Sequence, residues 1–323
     1  MIQQKTPCAV RRTRHTECAC YFYCGRGVEV ASGKYRQWSY NFWMLFDQIT
    51  IIGVGLIGGS IGLAAKTRGI ARSIVGVGRE MENLSRAIHL GAIDSGTVDL
   101  AEGVRNSGLV IVCVPVDQIA ELIAKAAPHC SPGTLFTDGG STKGNIVAEM
   151  AGKLSKEIEY VPAHPIAGSE KTGVENAQPD LFVDRTTVVT PIPGTSAAAT
   201  ELVIQFWQAL GSTVKTMTAE DHDRALAVTS HLPHAVSSAV AGTTPLDLLS
   251  LTAGGFRDVT RIAAGDPSMW AAIFLANRES VLPAVAAFAD RLSAFQKLLE
   301  TGDGAGLVHW LTEAKQVRDA LGS

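Results

Sequence analysis

Apolar and polar positions divide the chain at about residue 218. Before that point, short apolar runs alternate with longer segments of helical spacing. Residues 49–53 (ITIIG) are an apolar run ending on glycine, 56–68 have helical spacing, and 73–77 make a second run. Residues 109–115 (LVIVCVP) are continuously apolar and rich in β-branched side chains, as expected of a strand covered on both faces. Helical spacing returns over 116–127, and 134–138, 159–162, 186–190 and 213–217 read as further strands. This alternation predicts an α/β domain with a doubly wound parallel sheet over 44–217. Beyond 218, Ala, Leu and Val recur on one helical face, with breaks near 242–245, 254–255, 265–267 and 301–306. That pattern predicts an all-helical domain over 218–323, of a kind that often dimerises.

Composition adds a boundary at the other end. Residues 1–43 hold four of the six cysteines (Cys8, Cys18, Cys20, Cys24) and four of the five tyrosines. They carry seven Lys/Arg against two Asp/Glu, or +5, which leaves −8 for the remainder of a chain with net charge −3. No apolar period runs through them, so a disordered extension is expected, and Met44 reads as a natural beginning. The C-x-C-x₃-C spacing of Cys18, Cys20 and Cys24 fits no common zinc pattern, and no metal site is expected. The body retains Cys113 and Cys130, too few for a disulfide framework, which suits a reducing cytoplasm. At 46% hydrophobic and 18% charged residues the chain can bury a sizeable core. The mildly acidic balance argues against nucleic acid or an anionic membrane as partner, and no run approaches the ~20 apolar residues of a transmembrane helix.

Gly53-Val54-Gly55-Leu56-Ile57-Gly58 is G-x-G-x-x-G, placed between a predicted strand and a predicted helix. In that context it predicts a dinucleotide site. Gly53 would permit the tight turn, Gly55 the approach of a pyrophosphate and Gly58 the packing of helix on strand. The amides of Leu56 and Ile57 open the helix, and Val114-Pro115 end the strand beside it. A purely structural βα turn would use the same glycines. Where an acid would grip the ribose at the end of the second strand, the chain has Gly78-Arg79, with Glu80 one residue late. Arg79 could meet a 2′-phosphate, so NADP is slightly favoured over NAD. A solvated Arg79 is the plain alternative.

Three later segments offer chemistry. Ser141 lies in TDGGSTK (137–143) at a strand end, where it could also serve only as a helix cap. His164 lies in HPIAGSEK (164–171), held between prolines, where an imidazole could take a hydroxyl proton. Arg257 and Arg261 flank Asp258 in GGFRDVTR (254–261), suited to a carboxylate or to surface ion pairs. His231 and His234 form a polar cluster in an apolar helix.

Taken together, GVGLIGGS (53–60), DGGSTKG (138–144), HPIAGSEKTG (164–173), SHLPH (230–234) and GGFRDVTRIA (254–263) resemble the prephenate and arogenate dehydrogenases of tyrosine biosynthesis. The resemblance covers 49 to about 290. It implies a Rossmann domain followed by a helical dimerisation domain, and NAD(P)-dependent oxidation of a cyclohexadienol with loss of CO₂. Carried over by motif, His164 would hydrogen-bond the ring hydroxyl and accept its proton, and Ser141 would orient that histidine or share its hydrogen bond. Arg261 would hold a substrate carboxylate, and His234, His231, Glu170 and Trp270 would line the pocket. A β-hydroxyacid dehydrogenase would share the glycine loop and helical domain but more often rests on a catalytic lysine. A non-enzymatic NADP-binding redox sensor would need the loop but not His164 with Arg261. Prephenate and arogenate differ by a keto group against an ammonium, and Glu170 could favour the ammonium.

Overall fold

The computed structural model describes residues 21–23, 28–32, 35–39, 44–155 and 157–322. It separates into two units, Met1–Trp43 and Met44–Ser323. In the first, β1 (Tyr21–Tyr23), β2 (Val28–Ser32) and β3 (Tyr35–Ser39) form an antiparallel sheet in that order, with Phe22 opposite Glu29 and Glu29 opposite Trp38. These strands differ from the disordered extension expected there. Runs of three to five residues are too short to print a two-residue period on the sequence, and their aromatic and β-branched content was the only local sign. Cys8, Cys18, Cys20 and Cys24 lie outside the described residues.

The second unit opens with β4 (Phe46–Ile52), α1 (Leu56–Thr67), β5 (Ala71–Val77), α2 (Met81–His89), β6 (Ser95–Thr97) and α3 (Leu100–Val104). There follow β7 (Leu109–Val112), α4 (Val116–Ala126), β8 (Leu135–Asp138), α5 (Gly144–Met150) and β9 (Glu159–Tyr160). The six strands pair in parallel in the order β6-β5-β4-β7-β8-β9. Strand order reverses between β4 and β7, and ligands of such sheets bind at the carboxyl ends of the strands around that point.

Why β7 is apolar at every position is now plain. Leu109 and Ile111 join one core cluster with Ile61, Phe206 and Trp207, while Val110 and Val112 join another with Ile119, Ile123 and Ile146. Both faces are covered, so neither set of alternate residues meets water.

The strands expected at 186–190 and 213–217 exist but leave the main sheet. β10 (Ala163–Pro165), β11 (Thr186–Val189) and β12 (Thr213–Thr216) form a second sheet, antiparallel between β10 and β11 and parallel between β11 and β12, with α6 (Ala197–Ala209) inserted. The doubly wound parallel sheet expected over 44–217 is present as the six strands β6-β5-β4-β7-β8-β9, and only its last two expected strands belong elsewhere. Pro162 and Pro165 flank His164 and suit a strand that leaves one sheet to edge another.

From Thr218, the N-cap of the next helix, the chain is helical. The elements are α7 (Ala219–Leu226), a single π turn (Ala227–His231), α8 (Leu232–Gly242), α9 (Gly254–Thr260), α10 (Pro267–Ala276), α11 (Arg278–Thr301) and α12 (Gly304–Ala320). Gly254-Gly255, expected as a break, instead starts α9. α10 sends Ile273 and Trp270 against the cluster that covers α4. Apart from that contact, the helical segment's own buried cluster is small: Ala227, Val281 and Ala284.

Candidate active site

The glycine loop joins β4 to α1. Gly53 sits at φ +92, and a Cβ there would strike the Cys113 carbonyl oxygen; one on Gly58 would strike the Gly53 carbonyl and lie 2.8 Å from Ile51 Cγ2. Both glycines are demanded by the protein itself. Gly55 is not: a Cβ there would meet nothing within 4 Å. Its bareness leaves room for a group outside the chain at the amino end of α1, whose first turn carries no acid. Such a cradle fits a pyrophosphate, with the Leu56 and Ile57 amides beside it. Val114 and Pro115 follow β7, and Pro115 caps α4. Arg79 is exposed, with no ion pair among the described residues, whereas Glu80 accepts a hydrogen bond from Asn83 at 3.0 Å.

Three motifs converge next to this loop. A Cβ on Gly139 would stand 3.5 Å from Ile57 Cγ2, 3.6 Å from Cys113 Sγ and 3.9 Å from Pro165 Cδ. The ends of β7 and β8, the glycine loop and β10 are therefore mutual neighbours. At the end of β8, Asp138 is fully buried and every contact it makes is a donor. It pairs with buried Lys143, and it accepts from the Gly140 amide at 2.7 Å and the Tyr160 hydroxyl at 2.6 Å. Burial, then the Asp138 charge, pushes the Tyr160 hydroxyl well above its ordinary pKa. That hub shapes the loop carrying Ser141.

His164 lies on β10, buried, its Nδ1 2.8 Å from His222 Nε2. His222 Nδ1 lies 2.8 Å from Asp223 Oδ1, and Asp223 also accepts the amides of Lys143 (2.9 Å) and Gly144 (2.7 Å). Burial holds the His164 pKa well below 6.5, and a proton on His222, the Lys143 ammonium or a proton on His231 would each oppose a charge on it further. The ring is neutral at pH 7 and can accept a proton. Ser141, expected to orient His164, makes no hydrogen bond to it among the described residues; His222 occupies that place. Neither His222 nor Asp223 was singled out from sequence, because a histidine beside an aspartate at a helix start carries no spacing signal.

A second group of rings continues from the first. Asn277 donates to the Asp223 carbonyl at 2.8 Å and bridges to His231 Nδ1 at 3.1 Å. His231 packs edge-on to Trp270, which stacks on His234 with centroids 3.5 Å apart. Burial lowers the His231 pKa to about 4 and moves His234 in the same direction. His231 Nε2, His234 Nδ1 and Ser237 Oγ are buried and take no hydrogen bond from the described residues. The π turn explains how one helix serves both groups. In an unbroken α-helix His222 and His231, nine residues apart, would point about 180° from each other. The extra residue absorbed by the π turn brings that angle down to about 80°, onto one side.

Arg261 follows α9, with its guanidinium 3.6 Å from Glu170 of the loop after β10 and its side chain 63% exposed. Held that loosely, it is free to take another anion. Arg257 makes no ion pair and no side-chain hydrogen bond among the described residues.

The family model for the prephenate dehydrogenase nucleotide-binding domain matches residues 61–216, and that for the prephenate dehydrogenase dimerization domain matches 218–313. The cyclohexadienyl dehydrogenase of Zymomonas mobilis is 33% identical over 86% of this chain and 97% of its own. The prephenate dehydrogenase of Bacillus subtilis is 33% identical over 85% of this chain and 76% of its own. A crystal structure of prephenate dehydrogenase from A. aeolicus, in complex with hydroxyphenyl propionate and NAD+, superposes with a TM-score of 0.80 at 35% identity, covering 85% of this chain and 98% of that one. With both domain models matched in order and the relatives spanning most of its length, this chain belongs to the prephenate dehydrogenase family, the NAD(P)-dependent enzymes of oxidative decarboxylation in tyrosine biosynthesis.

Proposed function

We propose that the chain oxidises prephenate or arogenate at the ring carbon bearing the hydroxyl, with His164 Nε2 taking the hydroxyl proton. The observation that carries this reading is a buried, neutral His164 beside the glycine-loop edge, its Nδ1 already engaged by His222. A nicotinamide dinucleotide held at Gly53, Gly55, Gly58 and the α1 amides would supply hydride acceptance there. Arg261 fits the substrate carboxylate, and His231 Nε2, His234 Nδ1 and Ser237 Oγ offer hydrogen bonds to its polar groups, with Trp270 as the apolar wall. Loss of CO₂ makes the ring aromatic and drives the reaction, so positioning and a base suffice. Ser141 stands at the end of the same β8 loop and is assigned to the hydroxyl side of the pocket.

Glu170, 3.6 Å from Arg261, would meet an amino-acid side chain better than a keto-acid one, since a carboxylate pairs with an ammonium. Leu246, Leu251 and Leu275 are 84%, 79% and 71% exposed on the helical domain, an apolar surface that fits a homodimer. The free thiols of Cys113 and Cys130 fit a cytoplasmic enzyme. The test is turnover of each substrate with each of NAD and NADP, for the native protein and for His164→Asn. The variant should lose ~10²–10⁴ in kcat with cofactor affinity intact. Near-native turnover in His164→Asn would remove the assignment.

A further inference from the structure

Asp223 is the one ionised end of a three-residue chain. Its carboxylate can only accept, so the 2.8 Å contact with His222 Nδ1 requires a proton on that nitrogen. An imidazole that carries its one proton on Nδ1 has a bare lone pair on Nε2. The 2.8 Å contact from His222 Nε2 to His164 Nδ1 must therefore be an Nδ1–H donated by His164. The last link leaves the lone pair of His164 on Nε2, which has no hydrogen-bond partner among the described residues.

We infer that His222 and Asp223 are positioning residues that lock His164 in its Nδ1–H form with Nε2 free to receive the substrate's proton. The inference rests on His164 being the proton acceptor of the proposed reaction. A free neutral imidazole tends to the opposite form, with the proton on Nε2, in which the nitrogen facing the substrate could not accept. In the step itself, the hydroxyl O–H bond breaks and an Nε2–H bond forms. The C–H electron pair leaves as hydride to the nicotinamide, and the carbon–carboxylate pair enters the ring as CO₂ departs. His164 holds the proton meanwhile and can return it to the phenolate oxygen. The imidazolium so formed still donates from Nδ1 to His222, whose lone pair is kept in place by Asp223. Around this ring stand Lys143, paired with Asp138, and His231 near Asp223. The Lys143 ammonium favours prompt return of the proton.

Asp223 is fixed from outside the chain of rings. The Lys143 and Gly144 amides occupy both of its oxygens, and Gly144 is the residue that admits it, since a Cβ there would lie 2.9 Å from Oδ2. The carboxylate thus orients His222 from the start of α5, not from its own helix alone.

The experiment uses the full chain with ¹⁵N-labelled histidine, the His164 signals being assigned by their loss in His164→Asn. Nuclear magnetic resonance at pH 7.5 should show His164 protonated on Nδ1 and bare on Nε2 in the resting protein. His222→Leu should move the proton to Nε2 and lower kcat by about 10²-fold, with KM and cofactor affinity changed by less than about threefold. His222→Gln, whose Oε1 can accept from His164 Nδ1, should restore the Nδ1–H form and return kcat to within about tenfold of native. An Nε2–H form in the native protein overturns the inference, as does an unchanged tautomer and kcat in His222→Leu. Should His222→Leu fail to fold, the native tautomer and the Gln variant decide. A native protein that turned over neither substrate would sink the proposed function, while the tautomer of its resting state would still decide this one.

Discussion

Asp223 Oδ2 accepts the backbone amide of Gly144 at 2.7 Å, and that bond fastens the first helix of the C-terminal domain to the loop that follows β8. The same carboxylate takes the Lys143 amide at 2.9 Å and the His222 imidazole at 2.8 Å. Burial alone would raise its pKa, but the hydrogen bonds from His222, Gly144 and Lys143 outweigh burial and hold it below its ordinary value. Removing it strips three donors at once. Asp223→Ala should therefore destabilise the protein by about 2–4 kcal/mol, as read from urea unfolding, because buried donors lose their acceptor. A loss under about 0.5 kcal/mol would mean that α7 is held to the loop by packing instead.

Acid should weaken the fold well before the carboxylates titrate. His231 has its pKa lowered to about 4 by burial, and His164 is pushed well below 6.5 for the same first reason. An unfolded chain holds both near 6.5 and so binds more protons in this window. Their stabilisation is full above pH 6.5 and is lost as pH falls through the window toward pH 4, at up to about 1.4 kcal/mol per pH unit for each ring. His231→Gln should flatten the decline. Unfolding free energies that stay level from pH 7 to pH 4.5 would contradict the burial of these rings.

How far the sequence foretold this site varies with the kind of signal. The glycine loop, β7 and the helical C-terminal domain announce themselves through periodicity and glycine spacing, which are local. β11 and β12 were legible as strands, yet their sheet was not, since which strands pair is decided by distant contacts; β10 falls in the segment read as a loop after 159–162. His164 and Arg261 stood out because their motifs are distinctive. His222 and Asp223 did not: an HD pair at a helix start looks like ordinary surface charge until the fold lays α7 on the Lys143 and Gly144 amides. The π turn that aligns His222 with His231 has no sequence sign at all.

Arg261 should prove particular about its chemistry. Its partner Glu170 is 3.6 Å away and both side chains are partly exposed, so little is lost when a substrate carboxylate displaces it. A guanidinium can grip that carboxylate with two parallel hydrogen bonds, which an ammonium cannot. Arg261→Lys should raise KM by an amount worth about 1.5–3 kcal/mol, with a smaller change in kcat. Arg261→Ala with native KM would pass the role to Arg257.

Cofactor choice turns on the end of β5. There the chain has Gly78 and Arg79 where an acid would accept hydrogen bonds from the ribose hydroxyls and repel a 2′-phosphate. Glu80 is the nearest acid, one residue late, at the N-cap position of α2 and accepting a hydrogen bond from Asn83 at 3.0 Å. Arg79 is exposed and carries no ion pair among the described residues. With no repelling acid there, a 2′-phosphate within reach of the Arg79 guanidinium would gain a charge-assisted pair worth about 1.5–3 kcal/mol. That corresponds to roughly one to two decades in affinity. NADP should therefore be used at least as well as NAD, and Arg79→Ala should raise KM for NADP by about tenfold while sparing NAD. Because the pair is exposed, its advantage should shrink as salt is added. Steady-state kcat/KM for both cofactors, at low and high salt, decides the matter: a strong preference for NAD that Arg79→Ala leaves unaltered would give the ribose to a backbone group and return Arg79 to solvent.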